Sequence, residues 1–114
     1  MIALRWADGM HPALERIARR ITGVLEGWGL VTADEGAARA VLALGAGDPA
    51  VLAGGVDRPL VVMPLLGPGP ASPWCGPTLA RAGALALLSP AEAPDVRPHT
   101  RAPAVVVGLP APAG

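Results

Sequence analysis

The chain consists of short, uninterrupted apolar runs separated by turns rich in Gly, Pro and Asp. A run that is apolar at every position is typical of a strand covered on both faces, as in a parallel sheet. A further run, 30–32, is long enough for only a brief strand. The main apolar runs, which predict strands, cover residues 2–6, 40–44, 60–66, 84–88 and 104–107.

The segment after the first strand has the period of an amphipathic helix. Its apolar stripe consists of Leu14, Ile17, Ile21, Val24, Leu25 and Trp28. Pro12 suits a first helical position, and Gly29 ends the pattern. Glu15 and Arg19 form a favourable pair four residues apart on the polar side. We therefore predict a helix over 12–28 that packs its apolar stripe on the sheet.

The middle of the chain is compatible with two structures. In one, a buried strand at 40–44 precedes a short helix capped by Asp48. In the other, a helix at 34–44 precedes a strand at 50–53. The Gly- and Pro-containing sequence 45–49 interrupts the chain strongly, which favours the first structure.

Strands that alternate with helical segments predict an α/β fold. We expect three layers, with a mostly parallel sheet of about five strands and helices on both faces, as in flavodoxin-like proteins. A short helix is predicted at 78–82, after a Gly- and Pro-rich loop at 67–77, and a proline-rich connection precedes the last strand. Residues 1–108 form a single α/β domain in this interpretation, and 109–114 a frayed tail.

Charge is low and balanced along the chain. Basic and acidic residues number nine each, the formal net charge is zero, and the arginines are scattered along the sequence. Nucleic-acid binding requires a basic stripe for phosphate contacts, so no nucleic-acid partner is expected. Charged residues are only 16% of the chain, and this leaves more apolar surface than a small monomer usually exposes. We therefore expect a protein partner or a homo-oligomer, such as a homodimer.

The cysteine content and the first residues of the chain bear on the cellular compartment of the protein. Cys75 is the only cysteine, which excludes an internal disulfide and a multi-cysteine zinc site. Residues 1–5 lack the pattern of a signal peptide, so a cytoplasmic location is expected. The uncharged segment 59–80 is as long as a membrane span, but its prolines exclude a continuous helix. No membrane association is predicted.

Ligands of open α/β sheets bind at the carboxyl ends of the strands. Gly45, Gly47 and Asp48 belong to a GxGxxA sequence that follows a predicted strand there. A dinucleotide site would also need an acidic residue about twenty positions later. The neighbourhood of Leu65 is entirely apolar, which favours an ordinary turn.

Three further residues are candidates for the same edge. Asp8 and His11 lie in the loop after the first strand, and Cys75 lies in the loop at 67–77. Cys75 is either a reactive monothiol or an incidental, buried cysteine. Neither a catalytic triad nor a carboxylate pair nor a metal-ligand spacing can be assembled, so we predict no catalytic residue, metal or cofactor.

Two stretches near the ends of the domain match the elements of one known family. Residues 4–13 (LRWADGMHPA), the amphipathic helix and residues 28–34 (WGLVTAD) are similar to the first strand, acidic loop, first helix and second strand of response-regulator receiver domains. Residues 79–90 (LARAGALALLSP) resemble the end of a helix and the fifth strand. The resemblance covers roughly 1–90 and implies a flavodoxin-like fold.

The receiver chemistry does not carry over. The family binds Mg²⁺ with an acidic pair, accepts a phosphoryl group on an aspartate and uses a lysine after the fifth strand. Asp8 matches, but Gly9 replaces its acidic neighbour, Leu44 or Gly45 stands at the phosphoacceptor position, and Ser89 replaces the lysine. No acyl phosphate can form without the carboxylate nucleophile. The resemblance therefore implies a pseudo-receiver that acts independently of phosphorylation.

Two functions follow as hypotheses. The first is a non-catalytic regulatory or scaffolding domain that acts by protein–protein contact through an edge or face of its sheet. The alternative is a small enzyme or enzyme subunit that binds a nucleotide or a CoA-type ligand at the carboxyl edge. Residues 73–84 (PWCGPTLARAGA) also resemble a strand–loop–helix near the start of family III CoA-transferases, but the acid/base machinery of those enzymes lies elsewhere in their chains, so the resemblance implies no catalytic residue here.

Overall fold

The structure, a computed structural model, describes residues 1–6, 12–45, 52, 54–65, 76–88 and 90–107. The strands β1 to β5 are Ile2–Trp6, Ala40–Leu44, Leu60–Met63, Ala84–Leu87 and Ala104–Val106. The helices α1 to α3 are Pro12–Gly27, Gly76–Arg81 and Ala93–Val96. Two 3-10 turns lie at Glu35–Ala37 and Pro90–Glu92. None of the helices in these ranges is both long enough and apolar enough to cross a bilayer.

All five strands are parallel and lie side by side in chain order from β1 to β5. The predicted strand at 30–32 is reduced to one bridge, in which Val31 pairs with Ile2. The Ile2 amide donates to Leu30 O at 2.7 Å, and the Thr32 amide donates to Ile2 O at 2.9 Å. These bonds use the side of β1 that faces away from β2. The second β-element thus lies outside the first, which is the flavodoxin-like arrangement, and the predicted α/β fold class is confirmed.

Successive strand residues point to the two faces of the sheet, and each face has its own core. Ile2, Leu42 and Met63 point toward α1, on what we call the α1 face. Ala3 and Val62 point the other way, to the opposite face. Buried side chains on both faces explain why the strands are apolar at nearly every position.

The region with two possible structures adopts the favoured one. Ala40–Leu44 is a strand, and the alternative helix at 34–44 is wrong, since only the 3-10 turn Glu35–Ala37 forms there. The Asp34 side chain accepts a hydrogen bond from the Gly36 amide and so caps that turn. The helix predicted after Asp48 falls mostly outside the described residues.

Several predicted bounds need correction. β3 ends at Met63 rather than at 66, because Pro64 cannot donate to the ladder and Leu65 has a positive φ of 51°. α2 begins at Gly76, so the predicted loop at 67–77 is too long and the predicted helix at 78–82 begins too late. The rest of that loop and the predicted tail at 109–114 lie outside the described residues.

The connection before β5 contains structure that was not predicted. A 3-10 turn and α3 lie there, and Pro94 occupies the first turn of α3. Proline is a helix breaker in the interior but suits a first turn, because the amides at that end have no helical partner. A proline-rich sequence alone therefore does not exclude a short helix.

The described helical residues of the connections after β2 lie on one side of the sheet. Leu52, Leu79 of α2 and Val96 of α3 are buried in the core of the opposite face. Among the described elements, α1 alone covers the α1 face. A helix is about 10–12 Å wide with its side chains. Five strands about 4.8 Å apart span roughly 19 Å, so one helix leaves the β4–β5 side of the α1 face uncovered.

Candidate functional site

The residues predicted to bind a ligand at the carboxyl edge are mostly outside the described part of the chain. This is so for Asp8, His11, Gly47, Asp48 and Cys75. Their roles stay predictions, as does the alternative of a nucleotide- or CoA-binding enzyme. Gly45 is described: it has a φ of 99°, and its amide donates to Met63 O at 2.8 Å, so it turns the chain away at the end of β2.

The end of β2 has the side chains expected of a core. Leu44 is fully buried in the α1-face cluster, next to Gly45. No carboxylate stands at either position. Across the described ranges, there is also no group of three or more His, Cys, Asp or Glu residues that could hold a metal ion. The described carboxyl edge therefore offers an apolar wall where a receiver would have its phosphoacceptor.

An apolar recess lies elsewhere, on the uncovered side of the α1 face. It is a groove of about 440 Å³ between α1 and the sheet. Ile21, Val24 and Leu25 form its helix wall, while Met63 and Ala86 belong to its floor. Every described residue that lines it is apolar. A groove of this composition can recognise another apolar surface but has no side chain to orient a polar ligand.

Large apolar side chains stand exposed around this groove. Trp28, at the groove, is 70% exposed, and Leu30 is 42% exposed. Val105, on the uncovered edge strand, is 62% exposed. Trp28 was predicted to belong to the buried stripe of the helix, and that prediction is wrong because α1 ends at Gly27. We call the groove with Trp28 and Val105 the open face.

Trp6 and Trp28, which both lie near α1, differ in how their rings are packed. The Arg19 guanidinium lies over the Trp6 ring, 5.7 Å from its centroid, and also binds Glu15 at 2.7 Å. Trp6 is packed against the α1-face core, whereas Trp28 is not part of either core. The indole of Trp28 is thus the protruding aromatic group of the open face.

Comparison with known proteins adds no relative: no family model, curated protein or solved structure matches the chain. The class that the structure defines is therefore a fold, the flavodoxin-like α/β sheet. The likeness to receiver domains remains a resemblance in sequence pattern.

Sequence reasoning predicted an excess of apolar surface but not its position. The number of helices that can cover the two faces of the sheet indicates where this apolar surface lies. The described part of the chain contains one long amphipathic helix, and its helices after β2 are short. These helices do not cover five apolar strands on both sides.

Proposed function

We propose that this chain is a non-catalytic regulatory or scaffolding domain that acts by protein–protein contact, independently of phosphorylation. The observation that carries the proposal is the open face. All the described residues that line its groove are apolar, and two large apolar side chains stand exposed beside it. Apolar surface gains about 25 cal/mol per Å² when it leaves water, so this face favours association.

The partner that fits best is a second copy of this chain. A two-fold dimer requires one surface to be complementary to itself. The open face has a protruding group, Trp28, and a recess on the same side of the molecule. The described residues of its groove include no ionisable side chain, so these residues bring no like charges together in two identical copies. The indole of each copy would occupy the groove of the other.

The test is the molar mass in solution, measured by analytical ultracentrifugation over a range of concentrations. We expect a dimer for the natural chain and monomers for Trp28→Ser and for Val107→Asp, which places a carboxylate in the groove. Arg16→Ser changes an exposed residue on the polar side of α1 and should leave the dimer intact. Circular dichroism of each variant establishes that it is folded.

Failure of the dimer and failure of the interaction surface can be separated. A natural chain that stays monomeric but binds an apolar fluorescent dye, with the binding lost in Val107→Asp, would contradict the dimer alone. A monomer that does not bind the dye would contradict the interaction surface as a whole.

A further inference from the structure

A second surface, whose described residues are not among those that line the groove, concentrates positive charge at the amino edge of the sheet. Two depressions lie there, on either side of the end of α2. One, of about 340 Å³, contains Arg58 and Arg81. The other, of about 400 Å³, contains Arg97, His99 and Arg101. We call these five residues the basic end.

The fold brings the basic end together from segments that are far apart in the sequence. Arg81 is the last residue of α2 and lines the first depression. Ala80, the residue before it, lines the second, so the two depressions adjoin. Arg58 precedes β3, and Arg101 precedes β5. Among the residues that the structure describes, no Asp or Glu lines either depression. The scattered arginines of a chain with zero net charge thus form a local excess of positive charge.

Two of the guanidinium groups are held in place by the protein. Arg58 Nη2 donates to Gly36 O at 2.7 Å, and Arg58 Nη1 donates to Asp57 Oδ1 at 3.1 Å. Arg97 Nη1 donates to Ala102 O at 2.8 Å. A guanidinium has five N–H donors, so each of these arginines keeps donors for a ligand. The Asp57 carboxylate, 81% exposed, offsets only part of the charge.

We propose that the basic end binds an acidic peptide segment of a protein partner. Guanidinium groups pair with carboxylates through two parallel hydrogen bonds, and two adjoining depressions suit a chain with several carboxylates. Both depressions are open, and Arg81, Arg97 and Arg101 are exposed, whereas a small-molecule site encloses most of its ligand. The described lining of both depressions contains no Trp, Tyr or Phe, so it offers no ring on which the bases of a single-stranded nucleic acid could stack.

The test is fluorescence anisotropy of a short labelled peptide of alternating Glu and Asp, titrated with the whole chain at low ionic strength. We expect saturable binding that weakens as salt is added. The double variant Arg81→Gln, Arg101→Gln should weaken it by about tenfold, because two charge-assisted contacts are lost. The control is the double variant Arg16→Gln, Arg20→Gln on α1. It changes the net charge by the same amount and should leave the affinity for the peptide unchanged.

Each alternative has a distinct result. If the isosteric peptide of alternating Gln and Asn binds as tightly as the acidic peptide, the proposal is overturned, because the protein does not recognise the carboxylates. Tighter binding of a labelled single-stranded oligonucleotide would also overturn it. Equal weakening by the two double variants would assign the effect to net charge and not to this surface. Binding that persists in Trp28→Ser would support a site separate from the open face.

Discussion

The guanidinium group of Arg5, on β1, binds both carboxylate oxygens of Glu35, in the first 3-10 turn. Arg5 Nε lies 2.9 Å from Oε2, and Nη2 lies 2.8 Å from Oε1. A third donor, Nη1, binds Gly54 O at 2.7 Å. The Arg5 side chain is only 18% exposed, and it joins the edge of the sheet to two segments of the opposite face. This arrangement is a fixed connection between β1 and the chain on either side of β2.

We expect this ion pair to make the stability of the fold depend on pH. The hydrogen bonds from Arg5 hold the pKa of Glu35 below its usual value of 4.5. A carboxyl whose pKa is lower in the folded state stabilises the fold above the unfolded-state pKa, and this contribution is lost as the pH falls through the folded-state pKa. Glu35→Gln should therefore cost at most about 1 kcal/mol near neutral pH, because the Glu35 side chain is 40% exposed to screening solvent.

Urea unfolding of the natural chain and Glu35→Gln, near neutral pH and at about pH 3, measures this dependence. The difference in unfolding free energy should shrink in acid. Glu15→Gln, which removes the exposed pair with Arg19, is the matched control and should change stability less at either pH. A Glu35→Gln difference that is the same at both pH values would contradict the role given to the ion pair.

A second prediction concerns a hydroxyl buried in α1. Thr22 Oγ1 is buried and has no hydrogen-bond partner among the described residues. A buried polar group without a partner costs about 1–3 kcal/mol. Thr22→Val keeps the shape of the side chain and removes the hydroxyl, so we expect the free energy of unfolding to rise by about 1 kcal/mol.

Thr100→Val provides the control with the opposite sign. Thr100 is 8% exposed, and its Oγ1 accepts a hydrogen bond from the Ala102 amide at 3.1 Å. Removing that acceptor should lower stability by about 1 kcal/mol. Thermal unfolding followed by circular dichroism would show the two shifts of Tm. A fall in Tm for Thr22→Val would contradict the first of them.

The parts of the fold that the sequence predicts well are those fixed by local pattern. The strand at 2–6 and the helix beginning at Pro12 were predicted with bounds close to the observed Ile2–Trp6 and Pro12–Gly27. Continuous apolar runs and a stripe of period 3.6 are properties of adjacent residues. Pro90 and Pro94 are different, since proline both ends helices and begins them, and the elements they begin were missed.

The sequence predicted the apolar character of the candidate site but not its position. Composition indicated surplus apolar surface, and the structure places it on the α1 face, with Trp28 exposed. The choice of face depends on the side over which each connection crosses the sheet. That property involves residues such as Leu79 and Val96, which do not line the groove and are buried on the opposite face. A local sequence pattern does not predict the side over which a connection crosses the sheet.

A third prediction follows from Glu92, which links the second 3-10 turn to the end of β4. Glu92 is 8% exposed, and its Oε1 accepts a hydrogen bond from the Leu88 amide at 2.6 Å. Glu92→Ala removes the acceptor and should lower stability by about 1–3 kcal/mol. It should also speed hydrogen exchange at the Leu88 amide. Glu92→Gln keeps an oxygen at this place and should have the smaller effect, and an equal loss in both variants would contradict an acceptor role.

The last prediction concerns Leu65, whose φ of 51° lies in the left-handed region. A leucine there costs about 1–2 kcal/mol relative to glycine, which adopts this conformation freely. The side chain is nonetheless 2% exposed in the α1-face core, so its burial offsets the strain. Leu65→Ala and Leu65→Gly both lose that burial, but only the alanine variant retains the strain. We therefore expect Leu65→Gly to be about 1 kcal/mol more stable than Leu65→Ala.

The same pair of substitutions at Leu85 supplies the control. Leu85 is 1% exposed and lies within β4, and its φ is not positive. Glycine there should be less stable than alanine by about 0.5–1 kcal/mol, because it loses more backbone entropy on folding. Urea unfolding of the four variants gives both differences. If glycine is the less stable residue at both positions, the backbone at Leu65 is not strained, and β3 ends where it does because Pro64 cannot continue the ladder.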